Sequence, residues 1–322
     1  MNNQNRKIRK PSIISQTLRM HPVIIVFVAL FVIFSIIYPT SFLSALNFKT
    51  ILRQFVTLML FALGPTIVVV TGSLDLSYVG VYMLGGVFVW LFKPVLGVFS
   101  ILMILVVGVA TGLFIGVIQT KAKMPSFILT LSILVIYTGL SARLSGGYPH
   151  AVDGYEFITQ QLIPFIPTPF LLSIPIIAAA VFLMKCTRVC VYLHAIGSNE
   201  EGARLAGINV DKYKILAFML SGIFTGIGSI VLFQHLGGSS VVELKMNNMV
   251  WPLVAIVLGG TPLTGGSGGP QRTILGALTF TIFSRGLYLS SLHPYAITLL
   301  VGIVLIVSII VSARGLKGVT VT

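Results

Sequence analysis

Long runs of apolar residues, separated by short polar turns, dominate the pattern along this chain. About ten runs are long enough to cross, or nearly cross, a bilayer core of about 30 Å, and they lie near 22–38, 55–71, 78–92, 95–119, 126–142, 162–184, 214–236, 250–260, 273–290 and 295–312. The runs lack the apolar-polar alternation of a membrane barrel, and lipid cannot satisfy free backbone groups. The pattern therefore predicts an all-α polytopic membrane protein with about ten transmembrane helices, although 78–92 and 250–260 are short and prolines interrupt 162–184.

Composition agrees with a membrane protein and excludes other classes. Of the 322 residues, 56% are hydrophobic and 9% are charged, whereas soluble domains are about a quarter charged. The net charge of +14 comes from Lys and Arg scattered through short loops, without the basic stripe of a nucleic-acid-binding protein. We expect one membrane domain over 22–312 between a segment 1–21 and a tail 313–322.

The distribution of basic residues predicts the topology, because cytoplasmic loops retain Lys and Arg. With both termini cytoplasmic, the inner loops hold Lys121, Lys123, Lys185, Arg188, Arg204, Lys212, Lys214, Arg272, Arg314 and Lys317. The outer segments hold Lys49, Arg53, Lys93, Arg143 and Lys245. The first run follows a basic segment, as in a signal peptide, but it is long, and Leu43 stands where a cleavage site needs a small residue. We expect a retained first span.

One polar stretch, AIGSNEEGARLAGINVDKYKI, lies in the predicted cytoplasmic loop 185–213 and holds three of the seven carboxylates: Glu200, Glu201 and Asp211. Asn199 is placed to cap a helix of about two turns, whose acidic first turn suits the positive end of the helix dipole. Gly207 supplies a stop. A surface helix with these charges beside Leu205 suits a docking partner; the alternative is a merely solvated loop.

Two Gly-rich stretches, VVVTGSLDLSYVG (68–80) and AIVLGGTPLTGGSGGPQRT (255–273), interrupt the apolar runs. The predicted structural breaks are Gly72, Gly259, Gly260, Gly265 and Gly266. Irregular backbone at membrane depth needs protein or a water-filled cavity around it, and broken segments in two halves of a chain are typical of a translocation site. Asp75 either lines such a path or belongs to a short cytoplasmic turn.

Small residues four apart suggest close helix packing at Gly112 with Gly116 and at Gly222 with Gly226. This packing lies either within one subunit or at a dimer face. Arg285, inside the ninth run, either snorkels, pairs within the bundle or has a functional role.

Motifs of catalysis are missing from the sequence. It has no P-loop, no H-E-x-x-H and no G-x-S-x-G, and its five histidines are far apart. Cys186 and Cys190 are too few for a zinc site, so we expect free thiols. We predict no catalytic residue, metal or cofactor in this chain. Because the spans offer few ionisable groups for ion coupling, energy would come from a separate protein docked at the loop 185–213.

Four motifs resemble, in chain order, the permease subunits of bacterial ribose-type ABC importers: GSLDLS (72–77), KMPSFILTL (123–131), AIGSNEEGARLAGI (195–208) and VLGGTPLTGGSG (257–268). That family includes permeases for ribose, xylose, arabinose, galactose-type sugars and autoinducer-2. The resemblance implies a ten-helix subunit of the bacterial inner membrane that works as a pair, with a second copy or a sister permease. A cytoplasmic ATPase would bind ATP and Mg²⁺, and a periplasmic or lipid-anchored solute-binding protein would deliver the solute.

The resemblance also implies roles for residues. The coupling helix that enters the ATPase matches Asn199, Glu200, Glu201, Ala203, Arg204 and Gly207. We expect alternating access about a central cavity, in which hydroxyl and amide groups recognise a sugar by hydrogen bonds. The candidates are Asp75, Ser77, Thr130 and Thr261, and for each of them packing or turn formation is the alternative. Ser73, Leu74, Pro270 and Arg272 depart from the pattern of the family.

Two other classes of protein stay open. A nucleoside or branched-chain amino-acid ABC permease shares the same architecture and differs in its solute. A stand-alone secondary carrier or channel would need no ATPase.

Overall fold

The computed structural model describes residues 22–155, 163, 165–236, 239–240, 246–290 and 292–316. The helices are α1 (Pro22–Ile37), α2 (Pro39–Phe42), α3 (Ala45–Val70), α4 (Tyr78–Leu96), α5 (Leu102–Ala122), α6 (Ser126–Ser145), α7 (Thr168–Cys186), α8 (Arg188–Ser198), α9 (Glu200–Leu205), α10 (Val210–His235), α11 (Met246–Leu258), α12 (Pro270–Leu289) and α13 (Pro294–Leu316). A 3₁₀ turn, Gly97–Ile101, joins α4 to α5. Two short strands, β1 (His150–Ala151) and β2 (Ser239–Ser240), pair antiparallel.

Every predicted apolar run overlaps a helix among the described residues, which agrees with an all-helical polytopic membrane protein. Among the described residues, the segments long and apolar enough to cross a membrane are Ala45–Val70, Tyr78–Ala122, Ser126–Ser145, Thr168–Cys186 and Val210–His235. Helix α11 has 13 residues, about 20 Å at 1.5 Å per residue, which is shorter than a bilayer core. The number of ten spans and the side of the termini stay predictions, and the segment 1–21 lies outside the described residues.

Helix α3 forms the centre of the bundle. In the most apolar 18-residue stretch of α3, 83% of the residues are buried, because α7, α10, α11 and α12 all pack around this helix. A Cβ on Gly64 would lie 2.6 Å from the backbone oxygen of Ser221, so α3 and α10 approach closely there. Pro65 follows inside α3 and cannot donate the usual backbone hydrogen bond to the carbonyl of Phe61.

The predicted glycine pairs pack α5 against α10 within one chain. Gly108 and Gly222 face each other, so that a Cβ on either would overlap the backbone carbonyl of the other. A Cβ on Gly116 would lie 2.8 Å from the Cα of Ile215. Because glycine has no side chain, the two helix backbones can come into contact at these positions. Such close packing stabilises helix pairs in lipid, where the hydrophobic effect does not drive their association. Of the two alternatives, the structure supports packing within the subunit.

The loops gather at two opposite ends of the bundle. One end, which we call the α9 end, holds the segments 71–77, 119–126, 185–213 and 259–269. Two hydrogen bonds show that the first two segments meet there. The side chain of Gln119 donates to the Ser73 hydroxyl (2.9 Å), and the Ser126 hydroxyl accepts from the Leu74 amide (2.9 Å). The other end, the β end, holds β1, β2 and the start of α3, and there Lys93 Nζ donates to the backbone oxygen of Asp153 (2.8 Å). The described parts of the loops predicted to be cytoplasmic thus share the α9 end, and the described parts of those predicted to be outside share the β end.

Arg285 forms a hydrogen bond within the bundle. Its Nε donates a hydrogen bond to Oδ1 of Asn47, which links α12 to α3 at the β end. The amide nitrogen of Asn47 donates in turn to the backbone oxygen of Phe42 (2.7 Å). The guanidinium therefore pairs inside the protein, one of the alternatives that the sequence left open.

Candidate functional site

Helix α9 begins as predicted. Oδ1 of Asn199 accepts a hydrogen bond from the backbone N–H of Gly202 (2.9 Å), and Glu200 and Glu201 occupy the first turn, where the helix dipole favours negative charge. The helix ends at Leu205, and Gly207 follows with φ of 82°, a left-handed conformation that glycine adopts without a steric penalty. The predicted short, capped helix is confirmed.

An ion-pair network fastens α9 to α10. The Glu200 carboxylate contacts Lys214 Nζ at 2.5 Å through one oxygen and Arg204 Nη2 at 3.6 Å through the other. Arg204 Nη2 also contacts Oδ1 of Asp211 at 3.2 Å. The network holds one side of α9 in a fixed position, although each pair is partly exposed and is individually weak.

The remaining faces of α9 differ sharply. Ala203 is buried together with Ile196 of α8 and Val210 of α10. Leu205 is 85% exposed, and Glu201 is exposed and makes no ion pair with the described residues. The helix thus presents an acidic and an apolar side chain to the outside from a rigid base, which is the chemistry of a docking surface.

Helix α8, which the sequence pattern did not predict, connects α9 to both Gly-rich stretches. A Cβ on Gly197 would overlap the backbone oxygen of Val70 and the backbone nitrogen of Gly266. That nitrogen donates a hydrogen bond to the Val70 oxygen (2.9 Å). Gly265 has φ of 83°, and a Cβ there would lie 2.7 Å from the Cα of Gly72. We call these five residues the glycine junction, where three chain segments meet backbone to backbone.

Polar contacts strengthen the same meeting point. His194 Nε2 lies 3.3 Å from the backbone oxygen of Gly268, and its Nδ1 lies 2.8 Å from the backbone oxygen of Cys190. The Ser198 hydroxyl donates to the backbone oxygens of His194 (2.9 Å) and Gly266 (3.4 Å). These hydrogen bonds join α8 directly to the second Gly-rich stretch.

Asp75, a candidate for the translocation path, lies in the turn of the first Gly-rich stretch. It is 2% exposed; its Oδ1 accepts from the backbone N–H (2.9 Å) and the hydroxyl (2.6 Å) of Ser77, and its Oδ2 accepts from the Ser221 hydroxyl (2.6 Å). Three donors satisfy this carboxylate and link the turn to α10.

The other path candidates are also buried near the α9 end. The Thr261 hydroxyl accepts from the backbone N–H of Gly269 (3.1 Å), and the Thr130 hydroxyl lies 3.5 Å from the backbone oxygen of Leu74. Asp75, Ser77, Thr130 and Thr261 line neither of the two cavities described below. Their role in translocation stays a prediction.

The breaks at Gly259 and Gly260 belong to the turn between α11 and α12. A Cβ on Gly259 would overlap the backbone of Arg272, and Arg272 Nη1 donates to the backbone oxygen of Gly260 (3.0 Å). Pro270 occupies the first turn of α12, where its missing N–H has no intrahelical partner to lose. Arg272 thus stabilises this turn and Pro270 suits the start of α12; they are two of the four residues that depart from the family pattern.

Two adjoining cavities, each of about 240 Å³, lie at the β end. Thr57 of α3 and His235 of α10 line both. The first cavity has aromatic walls and further polar groups: Phe61, Trp251, Phe280, Gln54 and Ser284. The second is lined in addition by Arg53, Pro167, Pro169, Val231 and Gln234. We call them together the β-end cavities.

The sequence prediction missed the residues of these cavities. A signal was present, because Gln54 and Thr57 are polar and one helical turn apart at the edge of an apolar run, and Gln234 and His235 end another run. The pattern assigned these positions to span ends. Only the packing of α3 against α10 brings the two pairs to one place.

The predicted free thiols are confirmed for Cys186 and Cys190. Burial raises the pKa of the Cys190 thiol above its ordinary value, and the neighbouring Cys186 raises it further. Within the described residues, no three His, Cys, Asp or Glu side chains are grouped in a way that could hold a metal ion.

Comparison with known proteins identifies a family to which this chain is similar. The family described as "Branched-chain amino acid transport system / permease component" matches residues 47–309. A ribose import permease protein, RbsC, of Haemophilus influenzae is 29% identical over 88% of this chain and 91% of its own length. A xylose/arabinose import permease protein, XylH, of Sulfolobus acidocaldarius is 28% identical over 89% of this chain and 82% of its own.

A fructose import permease protein, FrcC, of Rhizobium meliloti is 27% identical over 89% of this chain and 83% of its own length. No solved structure matches the chain significantly. The resemblance to ribose-type importer permeases that the four motifs indicated is confirmed by these relatives. The chain is a multi-pass membrane protein and belongs to the family of branched-chain amino acid transport system permease components.

Proposed function

We propose that this chain is the membrane permease of an ABC importer that carries a monosaccharide inward across a bacterial inner membrane. The solute class comprises pentoses, hexoses and related furanoses such as autoinducer-2. The names of the relatives support a sugar, since they include ribose, xylose/arabinose and fructose import permeases. The observation that carries the proposal is α9, a capped helix that exposes Glu201 and Leu205 from a base fixed to α8 and α10.

In this proposal the ATPase is a separate subunit that binds ATP and Mg²⁺ and docks on α9. Hydrolysis would move α9 together with α8, because Ala203 packs on Ile196. The glycine junction would pass the movement to both Gly-rich stretches, since the Gly266 amide donates directly to the Val70 oxygen. In this arrangement the ATPase, and not the permease, carries out the hydrolysis.

Transport would follow alternating access by a pair of permeases, either two copies or this chain and a sister chain. A periplasmic or lipid-anchored solute-binding protein would deliver the sugar at the β end, opposite the ATPase. Asp75, Ser77, Thr130 and Thr261 remain candidates for the inner part of the path.

A branched-chain amino-acid permease is the second candidate, because the matching family carries that description. A zwitterion needs an anionic partner for its ammonium group. Among the described residues, those that line the β-end cavities include Arg53 but no carboxylate. This arrangement favours an uncharged solute, which also includes a nucleoside.

The experiment is capture of the tagged chain from solubilised membranes of cells that also produce the candidate ATPase, comparing wild type with Glu201→Arg. We expect the wild type to retain the ATPase and Glu201→Arg to lose most of it, because the new positive charge opposes a contact built on a carboxylate. The control is Asp153→Arg, which reverses an exposed carboxylate at the β end and should retain the ATPase.

Each outcome decides a different part of the proposal. A wild-type chain that retains no ATPase but transports sugar when reconstituted alone would make it a stand-alone carrier. Equal retention by Glu201→Arg would remove α9 as the docking surface. Uptake by the intact importer of leucine or a nucleoside, and of no sugar, would select the second candidate.

A further inference from the structure

We infer that the β-end cavities bind one neutral monosaccharide in transit, with Gln54, Thr57, Gln234 and His235 contacting its hydroxyl groups. The inference rests on the proposed function and goes beyond it by naming the residues that select the solute. These residues lie at the end of the bundle opposite α9, so they would meet the sugar before the glycine junction does.

The position of the cavities suits a transit site. The first cavity is lined by residues of α3, α4, α10, α11 and α12, and the second by residues of α3, α10 and the start of α7. Thr57 and His235 line both cavities, so one ligand can contact these two residues from either side. The walls therefore belong to helices that also reach the glycine junction: α3 ends there at Val70.

Two glutamine side chains at the β-end cavities have amide oxygens that lack a hydrogen-bond donor. Gln54 lines the first cavity and Gln234 lines the second, and the Oε1 atom of each is buried without a partner among the described residues. A buried acceptor that lacks a donor is unfavourable. A sugar hydroxyl that donates to it removes this penalty, whereas a lipid chain does not.

The remaining lining groups define the ligand class. Amides and hydroxyls both donate and accept, as the hydroxyls of a polyol do. The ring of Trp251, 5.6 Å from that of Phe280, offers an apolar face for the C–H groups of a sugar. Among the described residues that line the cavities, no carboxylate is present to hold a cation. The volume of about 240 Å³ per cavity is below the ~300–1,000 Å³ of sites for drug-sized ligands, as a small solute requires.

The first test measures transport by the whole importer in proteoliposomes, with radiolabelled ribose, xylose and fructose as probes. Gln54→Leu and Thr57→Val should raise the KM for the transported sugar roughly 3- to 10-fold, the effect of losing one hydrogen bond. The matched control is Thr50→Val: Thr50 and Thr57 lie on the same helix, are both half-buried and both donate to the carbonyl four residues before, but only Thr57 lines the cavities.

The second test measures occupancy of the site directly. In a Cys186→Ser/Cys190→Ser background, Thr57→Cys is labelled with a maleimide in the assembled importer, with and without the transported sugar. We expect the sugar to slow labelling of Thr57→Cys at least 3-fold and to leave Thr50→Cys unchanged.

The outcomes separate the inference from the proposed function. If the wild-type importer with ATP present takes up none of the three sugars and no other pentose, hexose or related furanose, the proposed function fails and the inference falls with it. If uptake is normal, an unchanged KM in Gln54→Leu and Thr57→Val overturns the inference alone. Absence of protection at Thr57→Cys by a sugar that is transported also overturns it.

Discussion

The two ends of the bundle use the same kinds of side chain in opposite ways. At the α9 end, the Asp75 carboxylate and the Thr261 hydroxyl have partners within the chain, and glycines bring backbones into contact. At the β end, Gln54 and Gln234 keep unpaired oxygens beside cavities.

The contrast teaches that a buried polar residue in a membrane span is not by itself a path residue. Polar groups inside a bilayer are expensive unless paired, and at the α9 end Asp75, Ser77 and Ser221 pair with one another and fix the turn. Unpaired Oε1 atoms occur at both ends, at Gln119 and Gln271 as well as at Gln54 and Gln234. Gln54 and Gln234 differ from the other two because they line the β-end cavities.

The largest effect that would test this contrast is expected at the glycine junction. Gly197→Ala places a methyl group onto the backbones of Val70 and Gly266 and should destabilise the protein by about 3 kcal/mol and abolish ATP-dependent uptake. The measurement is the melting temperature of the purified protein together with uptake. Gly139→Ala, where a Cβ meets no atom within 4 Å, is the control and should melt no lower than wild type. A Gly197→Ala protein that melts like wild type and transports sugar would show that the three backbones at the glycine junction are not packed as closely as described.

The next effect concerns the carboxylate of the first Gly-rich stretch. Asp75→Ala removes the acceptor of three hydrogen bonds and leaves the Ser77 and Ser221 hydroxyls buried, so stability should fall by about 2 kcal/mol. Thermal melting checks this, with Ser221→Ala added to both backgrounds in a double-mutant cycle. Additive losses in the cycle would mean that the two residues are not coupled.

Two glutamines permit a direct comparison of the ends. Both have an unpaired buried Oε1, but Gln119 also donates to the Ser73 hydroxyl, whereas no such bond is described for Gln54. Gln119→Leu should lower stability by about 1 kcal/mol, and Gln54→Leu should leave it unchanged or raise it, because an unsatisfied polar group is replaced by an apolar one. A lower melting temperature for Gln54→Leu than for Gln119→Leu would contradict the contrast.

The smallest effect is expected on the surface of the α9 end. Lys214→Met removes a partly exposed partner of Glu200 and should cost about 0.5 kcal/mol. The loss should shrink in high salt, since salt screens exposed charges. Melting curves at low and high ionic strength measure this. A loss that does not depend on salt would indicate a packing role for the lysine side chain.

Much of the fold could be predicted because its signals are local. Apolar runs predict the membrane helices, and Asn199, the two glutamates after it and Gly207 define α9 within a few residues. Helix α8 was missed because its preceding residue, Thr187, makes no side-chain capping bond. Its mixed apolar and polar residues also resemble a loop.

The junction and the cavities could not be predicted because they depend on distant segments. Gly197 meets Val70 and Gly266 only after three parts of the chain have folded together. Asp75 was singled out correctly as unusual, but its partner Ser221 lies on a helix far along the sequence. The cavities similarly require α3 and α10 to be placed side by side before Gln54 and His235 become neighbours.

Helix α3 has a mechanical property that follows from where its proline stands. Pro65 lies about 7.5 Å along the axis from Val70 and about 16.5 Å from Gln54, at 1.5 Å per residue. If the helix bends at Pro65, where a backbone hydrogen bond is missing, its two arms differ in length by about a factor of two. A small displacement at the short arm then swings the long arm about twice as far, so α3 has the proportions of a lever with its fulcrum nearer the α9 end.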